Sequence, residues 1–452
     1  DCQASRPGDN GARWDAIIVD SEESIPIEIK SPTEEQHLSL KAIRQALENK
    51  VILLSRGTHP TLPETTSLAV GYYLPNDRAE VTNLMSDFKT AFGYNIGIID
   101  LKTLLTIAVT IVYDEKTFDI SELNRLEGFA NATLTKAKQR TVISALRDSN
   151  VRDIEQNYNE PAKLWCNEKW ITAACLRCSD QRCIRYIDAE ISCGSFSDFP
   201  YERNLNVCPV DAIKWNFEKE LPEIENGKCI GCGLCAARCP VGAIFKADNK
   251  MKVSAPESDD YIDLPINYEN LVKHKFFVQE VDKIYWNHQF QKESDRIMEE
   301  IYEKISHYDG RSMVPNVLVR NLIIALNHEC AISRAGDIYT RMDAVYSSKI
   351  KPKCSGVVEI EFGRDTLEAS RGILDDIAVM HSRNNLDKKD NAALVVCLSF
   401  PNKRQGYFQV IKDIHRVLDL KIQTISLGAL LLLVWNGAAV NFLSREFYVD
   451  FD

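Results

Sequence analysis

The chain has 452 residues, of which 45% are hydrophobic, and 65 acidic against 54 basic side chains give it a net charge of −11. This length and apolar content suffice for about three buried cores. The negative charge excludes a protein that coats nucleic acid nonspecifically, because such binding depends on clustered Lys and Arg. There is no charged-then-apolar signal sequence, and the longest apolar run, Leu427 to Trp435, is too short to cross a bilayer. We expect a soluble cytoplasmic protein without a membrane partner.

The first eighteen residues recur without a gap at Glu329 to Tyr346. The identities are Cys2/Cys330, Ser5/Ser333, Arg6/Arg334, Gly8/Gly336, Asp9/Asp337, Arg13/Arg341, Asp15/Asp343 and Ala16/Ala344. The similarity continues, so that each copy reads as strand hairpin, helix, strand, helix, strand, helix, which predicts a duplicated α/β unit. A helix is predicted from Pro315 to Asn327, before the second copy only. Either residues precede Asp1 in the natural protein or another segment takes that helix's place.

The first hairpin is predicted to have strands over residues 16–19 and 25–30, joined by a turn over residues 20–24. Because side chains alternate along a strand, Ile25, Ile27 and Ile29 are expected to face the core, with Glu28 and Lys30 on the opposite face. Asp15 enters from the neighbouring strand. Two converging carboxylates can hold Mg²⁺, and a nearby lysine can orient a water and offset phosphate charge.

Asp15 followed by Glu28-Ile29-Lys30 resembles the PD-(D/E)xK nucleases of the restriction-endonuclease-like fold. The resemblance covers most of residues 1–113 and, more weakly at the site, residues 315–446. It implies Asp15, Glu28 and Lys30 as catalytic residues, and Asp15, Glu28 and the backbone carbonyl of Ile29 as ligands of Mg²⁺. The alternative is an ordinary solvated strand face, where Glu and Lys alternate often.

The second copy keeps Asp343 and Glu359 but has Glu361 where the first has Lys30. It is therefore either a second active site or an inactive scaffold. Asp9, Arg44 and Arg371 are lesser candidates, since each has common structural uses. The hairpin lysines of the second copy are interpreted as a solvated loop rather than as DNA contacts; they are Lys349, Lys351 and Lys353.

Ten of the fourteen cysteines lie between Cys166 and Cys239, which indicates a metal centre in a reducing compartment. Cys229-x2-Cys232-x2-Cys235-x3-Cys239-Pro240 has the spacing of bacterial ferredoxins. Cys208-Pro209 echoes Cys239-Pro240, so the block resembles a two-cluster ferredoxin.

That resemblance implies one [4Fe-4S] cluster on Cys229, Cys232, Cys235 and Cys208. A second cluster would take Cys239 with Cys175, Cys178 and Cys183. The second gap of this trio is four residues instead of two, so Cys193 or Cys166 could replace one member. A Cys₄ zinc site is the rival interpretation. The four outlying cysteines, Cys2, Cys330, Cys354 and Cys397, are expected to be buried thiols.

The predicted fold class is α/β multidomain, with two restriction-endonuclease-like lobes flanking a ferredoxin-like α+β domain. The predicted divisions are a nuclease lobe (1–130), a basic helical linker (131–165), the two-cluster domain (166–250), a docking segment with a helix over Phe290 to Tyr308 (251–309) and the second lobe (310–452).

The expected function is Mg²⁺-dependent endonucleolytic cleavage of DNA, with the clusters in a structural or DNA-positioning role. A single-chain pseudo-dimer suits double-stranded DNA, whose strands are related by local twofold symmetry. A nuclease of CRISPR adaptation or recombination is one alternative. Another is a ferredoxin-type electron-transfer protein with inactive lobes. Whether the chain forms a homodimer is left open.

Overall fold

The computed structural model describes two α/β lobes and a cysteine-rich region. The described residues are 1–6, 12–76, 80–114, 174–194, 196, 204–247, 250–255, 299–305, 307, 313–333, 340–363, 366–399, 401, 406–435, 437 and 440–442. The predicted linker helix and most of the docking segment lie outside these residues, as do Asp9, Cys166 and Ile297. Of the helix predicted over residues 290–308, residues 299–305 are helical, and Ile301 and Ile305 are buried.

The first lobe is a five-stranded sheet in the order β1-β2-β3-β4-β5. Its hairpin strands pair antiparallel, and β3, β4 and β5 run parallel. The elements are β1 (Cys2–Ala4), β2 (Ala16–Ile18), β3 (Ile25–Ile29), α1 (Leu40–Arg56), β4 (Ser67–Gly71), α2 (Glu80–Phe92), β5 (Ile96–Asp100) and α3 (Leu101–Asp114). The predicted hairpin is confirmed. Helix α1 begins where the Ser39 hydroxyl accepts the Lys41 N–H, and it ends at Gly57 in the left-handed conformation.

The second lobe repeats this topology, with the order β10-β11-β12-β13-β14 and the same pattern of antiparallel and parallel pairs. The helix predicted over residues 315–327 is present as α6. The elements are α6 (Val314–Ala325), β10 (His328–Ile332), β11 (Ala344–Ser348), β12 (Ser355–Glu361), α7 (Leu367–Asn384), β13 (Leu394–Cys397), α8 (Tyr407–Leu418), β14 (Gln423–Ser426) and α9 (Leu427–Trp435). The described parts of the two copies therefore share one strand order.

The two lobes pack directly against each other through their helices. One hydrophobic core contains residues of α1 and α2 from the first lobe and of α7 and α8 from the second, with the inner faces of both sheets on either side. The cysteine-rich region separates the lobes in sequence but not in space, so the expectation that the lobes flank it is wrong. It shares a second core with the outer face of the second sheet, with α6 and with α9.

The cysteine-rich region contains short elements only. They are α4 (Asp188–Ile191), β6 (Ile213–Asn216), β7 (Leu221–Ile224), α5 (Leu234–Arg238), β8 (Ile244–Ala247) and β9 (Lys250–Val253). The strands form two antiparallel pairs, β6 with β7 and β8 with β9. Gly231 and Gly233 have φ values of 75° and 76°, a conformation that favours glycine, and they allow the tight turns that carry the cysteine motif.

Both faces of the first sheet are covered, which changes the expected position of the acids. Ile25 and Ile27 pack on the outer face, whereas Glu28 and Lys30 lie on the inner face, on the side of α1 and the second lobe. Ile29 is 46% exposed, so the expectation that it faces the core is wrong. It is the last residue of β3 and lies beyond the cluster that covers Ile25 and Ile27.

Candidate active site and iron-sulfur centres

The hairpin brings Asp15 next to the end of β3. Ala16 pairs with Ile27, which places Asp15 beside Glu28 on the adjacent strand. The Asp15 N–H donates to the Ile27 carbonyl at 3.0 Å, and the Asp15 carboxylate accepts the Ile29 N–H at 2.7 Å. Asp15 is exposed, so its carboxylate remains accessible to solvent while the backbone fixes its orientation.

Glu28 is held by two donors on the inner face of the sheet. Lys30 Nζ lies 2.8 Å from Glu28 Oε1, and Asn49 Nδ2 of α1 lies 2.8 Å from Glu28 Oε2. All three residues are buried, at 4% exposure for Glu28, 8% for Lys30 and 2% for Asn49. The structure therefore brings together Asp15, Glu28 and Lys30, as predicted, and adds Asn49, which the sequence motif did not point to.

The pKa of Glu28 is raised, first because burial penalises the charged form and then because Asp15 places a second negative charge nearby. Lys30 opposes this rise by its positive charge, and both Lys30 and Asn49 lower the pKa through hydrogen bonds. Glu28 is thus a carboxylate whose ionisation depends on its donors.

The second lobe repeats the backbone geometry with different side chains. The Asp343 carboxylate accepts the Ile360 N–H at 2.9 Å, as Asp15 does from Ile29, and a second oxygen of Asp343 accepts from Asn316 of α6. Glu359 occupies the place of Glu28. Asp376 of α7 occupies the place of Asn49, near Glu359.

Burial and neighbouring negative charges raise the pKa values of Glu359 and Asp376. Burial is the largest cause for Glu359, followed by the charge of Asp343. Burial is also the largest cause for Asp376, followed by the charge of Glu359. Glu361 turns back to its own chain, where its carboxylate accepts the Gly363 N–H at 2.6 Å. The second lobe thus gathers acids without the lysine of the first.

Arginines cross between the lobes next to both sites. Arg44 of α1 donates to Asp375 of α7, and Arg371 of α7 donates to Glu48 of α1. Asp375 also accepts from Arg341 at 3.0 Å, and Arg13 lies 4.0 Å from Glu48. Each acid therefore lies between an arginine of its own lobe and one of the other lobe.

The crossing arginines also act on the acid sites themselves. Arg44 lies close enough to Glu359 and Asp376 for their charges to raise its pKa, and Glu28 has the same effect on Arg371. Their recurrence at equivalent positions of the repeat was the signal available in the sequence. It did not reveal that each arginine crosses to the opposite lobe.

A second set of mirrored hydrogen bonds joins the two lobes. Arg56 and Ser55 donate to Asp413, whereas Arg383 and Ser382 donate to Asp87. Because the two sets exchange the roles of the lobes, the described chain has the pseudo-twofold organisation predicted from the repeat.

The structure collects the eight predicted cluster cysteines into two groups. Cys208, Cys229 and Cys232 lie near Cys235. Burial raises the pKa of Cys235 well above its usual range, and these neighbouring thiols raise it further. In the other group, burial raises the pKa of Cys183 to about 12, with further contributions from Cys239, Cys175 and Cys178. The membership of the two groups is the one that the ferredoxin resemblance implies. Cys183 also contributes to the shift at Cys235, so the groups are neighbours.

The remaining cysteines divide differently from expectation. Cys193 is buried in the core between the lobes, and the thiol shifts that define the two groups do not involve it. Cys330, Cys354 and Cys397 are buried, as expected. Cys2 is exposed, so that prediction is wrong; β1 is an exposed edge strand, whereas its counterpart Cys330 packs in the core beneath α6.

Helix α6 and helix α9 anchor the cysteine-rich region to the second lobe. Asn321 Nδ2 of α6 lies 2.6 Å from the carbonyl oxygen of Val207, beside Cys208, and Arg320 donates to the carbonyls of Asn204 and Asn206. Trp435 Nε1 of α9 donates to the Cys232 carbonyl at 2.9 Å. The backbone on either side of one cysteine group is thus fixed by the second lobe.

The described residues contain no helix long and apolar enough to cross a membrane. As the side chains stand in these residues, no three or more His, Cys, Asp or Glu form a group that could hold a metal ion. The donor set itself, four thiols in each group, fits a [4Fe-4S] cluster.

Residues 222–245 match the 4Fe-4S binding domain family. The match includes Cys229, Cys232, Cys235 and Cys239 and supports at least one [4Fe-4S] cluster. An uncharacterized ferredoxin of Methanocaldococcus jannaschii is 49% identical over 39 residues, which are 9% of this chain and 24% of that protein. "Putative electron transport protein YsaA" of Escherichia coli is 33% identical over 91 residues, 20% of this chain and 43% of that protein.

The chain therefore spans less than half the length of either of these relatives. No solved structure matches the chain. The similarity to known proteins identifies an iron–sulfur domain.

Proposed function

We propose that this protein is an iron–sulfur nuclease that hydrolyses phosphodiester bonds of double-stranded DNA with Mg²⁺, using the first lobe as its active site. The observation that carries the proposal is the meeting of Asp15, Glu28 and Lys30 at the end of β3. An exposed carboxylate, a buried carboxylate and an ammonium group there share one small region.

Asp15, Glu28 and the Ile29 carbonyl would hold the ion. When bound, Mg²⁺ supplies Lewis-acid stabilisation of phosphate charge and lowers the pKa of water. The Ile29 N–H orients the Asp15 carboxylate, and Lys30 and Asn49 keep Glu28 in place and favour its ionised form. The ammonium group of Lys30 also offsets charge on the scissile phosphate and can position the attacking water.

Two [4Fe-4S] clusters are proposed on the two cysteine groups, in a structural or DNA-positioning role. Cys229, Cys232, Cys235 and Cys208 would bind one, and Cys175, Cys178, Cys183 and Cys239 the other. The region has short elements and shares its core with the second lobe, so clusters would stabilise a domain that has little core of its own.

The test is cleavage of labelled duplex and single-stranded DNA by the cluster-loaded protein in Mg²⁺. Lys30→Met is expected to lower the cleavage rate at least about 100-fold, because it removes the group that moves or orients a proton. Lys41→Met is the matched control, since Lys41 is an exposed lysine of α1 outside the site. If the unaltered protein cleaves no DNA, the proposed activity is wrong.

Electron transfer is the second candidate, favoured by the adjacent cysteine groups and by the names of the two relatives. It predicts that chemically reduced protein passes electrons to a soluble acceptor within seconds, and that Cys183→Ser slows this transfer. Rapid transfer together with no DNA cleavage would favour this candidate over the nuclease.

A further inference from the structure

The two acid sites share a backbone framework but differ at the positions that hold the central glutamate. Glu28 has two donors, Lys30 and Asn49. At the equivalent positions the second lobe has Glu361 and Asp376, so both donors are replaced by carboxylates. The aspartate that starts each site, Asp15 or Asp343, accepts a backbone N–H in the same way.

Glu359 lies against helix α7. A Cβ atom at Gly372 would lie 2.1 Å from Glu359 Oε1, so only glycine permits this approach. The equivalent residue of the first lobe is Gln45. Asp376 of the same helix lies close enough for the charge of Glu359 to raise the pKa of Asp376. Glu359 of strand β12 thus points toward helix α7 of the same lobe, and no lysine among the described residues holds it as Lys30 holds Glu28.

The arginines next to the second site are already paired with an acid. Arg44 and Arg341 both donate to Asp375, and Glu361 accepts from the Gly363 N–H instead of contributing a positive group. Glu359 therefore lies within reach of the charges of Asp343 and Glu361, where a phosphodiester would add a further negative charge. The first site has a lysine at this place.

We propose that the second lobe does not cut and that the protein hydrolyses one strand of a DNA duplex, leaving a nick. This inference rests on the proposed function and specifies its product. The second lobe contributes part of the shared core, and its Arg371 lies near Glu28 of the first site. In this proposal it has no active centre of its own.

The experiment uses supercoiled circular plasmid, the full-length cluster-loaded protein and Mg²⁺. Nicked circles are expected to accumulate first, with linear DNA only after repeated nicking. Asp15→Asn is expected to lower the nicking rate at least about 100-fold, as loss of a catalytic group does. Glu361→Gln is expected to leave the rate within about twofold, because a group outside the catalytic centre contributes little to the barrier.

A gain-of-function variant tests the charge argument directly. Glu361→Lys combined with Asp376→Asn restores the first-lobe arrangement in the second lobe, and it is expected to raise the ratio of linear to nicked product in early samples. Linear DNA formed by the unaltered protein without a nicked precursor would overturn this inference alone. Nicking abolished by Glu361→Gln in a folded protein would also overturn it. No cleavage of the plasmid in any form would overturn the proposed function and this inference with it.

Discussion

The ionisation of Glu28 depends on one neighbour from helix α1. Asn49 donates to Glu28 Oε2 at 2.8 Å and lowers the pKa that burial raises. At the same position of the second lobe Asp376 accompanies Glu359, and the charge of Glu359 adds to the rise in the pKa of Asp376 that burial causes. The two sites therefore differ twice beside the glutamate: the first lobe has a lysine and an amide there, and the second has two carboxyl groups.

The variant Asn49→Asp gives the first lobe the carboxyl group that the second lobe has at this position. In the proposed mechanism the ionised Glu28 binds Mg²⁺, so the cleavage rate is expected to rise with pH through the pKa of Glu28. A higher pKa would move this acidic limb of the pH profile to higher pH. We expect kcat/KM to show the acidic limb shifted upward by about one unit or more, since a nearby like charge opposes ionisation.

Asn49→Ala is the control, because it removes the hydrogen bond without adding a charge and should shift the limb less. The measurement is the pH dependence of kcat/KM on a duplex substrate. Identical acidic limbs for the unaltered protein and the Asn49→Asp variant would contradict the role given to Asn49.

Helix α6 connects the iron–sulfur region to an acid site of the second lobe. Asn316, near its start, donates to Asp343, and Asn321 donates to the Val207 carbonyl beside Cys208. Arg320 of the same helix is buried and donates to Asn204 and Asn206. The loop that carries Cys208 is therefore fixed by a helix of the second lobe.

Asn321→Ala removes a buried donor from this loop. The Val207 and Asn206 carbonyls lose a partner, which costs about 1–3 kcal/mol of folding free energy. We expect lower thermal stability and faster loss of iron to a chelator. Iron loss is measured from the visible absorbance and the iron content of the protein. Asn316→Ala, on the same helix but bonded to Asp343, should retain iron like the unaltered protein. Equal rates of iron loss in the two variants would refute the link.

Several elements could be predicted from the sequence because a local signal specified them. The hairpin follows from strand alternation around a polar turn, and α6 follows from Leu318, Leu322 and Leu326 at helical spacing, all of which are buried. The grouping of the cysteines followed from the resemblance to two-cluster ferredoxins. The exposed positions of Ile29 and Cys2 could not be predicted in this way, because alternation fixes which residues share a face but not where a covering helix stops.

At the scale of the whole molecule, the repeat predicted a pseudo-dimer, but it did not indicate which faces meet. Parallel strands covered on both faces carry apolar residues in both registers, so the inner and outer faces look alike in sequence. The ion pairs that join the lobes link residues more than 290 positions apart, such as Arg383 with Asp87. No local pattern reports such a contact.

The mirrored ion pairs predict matched effects on stability. Asp87→Asn and Asp413→Asn each weaken charge-assisted hydrogen bonds to an arginine and a serine of the other lobe, so each is expected to lower the free energy of unfolding by about 2 kcal/mol. Chemical denaturation should still show one cooperative transition for the two lobes, because they share a core.

Asp419→Asn is the matched control, since its ion pair with Lys389 is exposed on both sides and should contribute little. Separate transitions for the two lobes in the unaltered protein would show that the interface does not couple them. A neutral effect of one variant and a large effect of the other would contradict the mirrored arrangement.

The common core of the two sheets also governs how the polypeptide is made. Arg371 and Glu48 are 323 positions apart, so the amino-terminal half leaves the ribosome long before its partner helices exist. During that interval the apolar sides of α1 and α2 are uncovered, which is a state prone to aggregation. Rapid completion of the chain is therefore expected to limit aggregation, because it shortens the time before the later helices cover these faces.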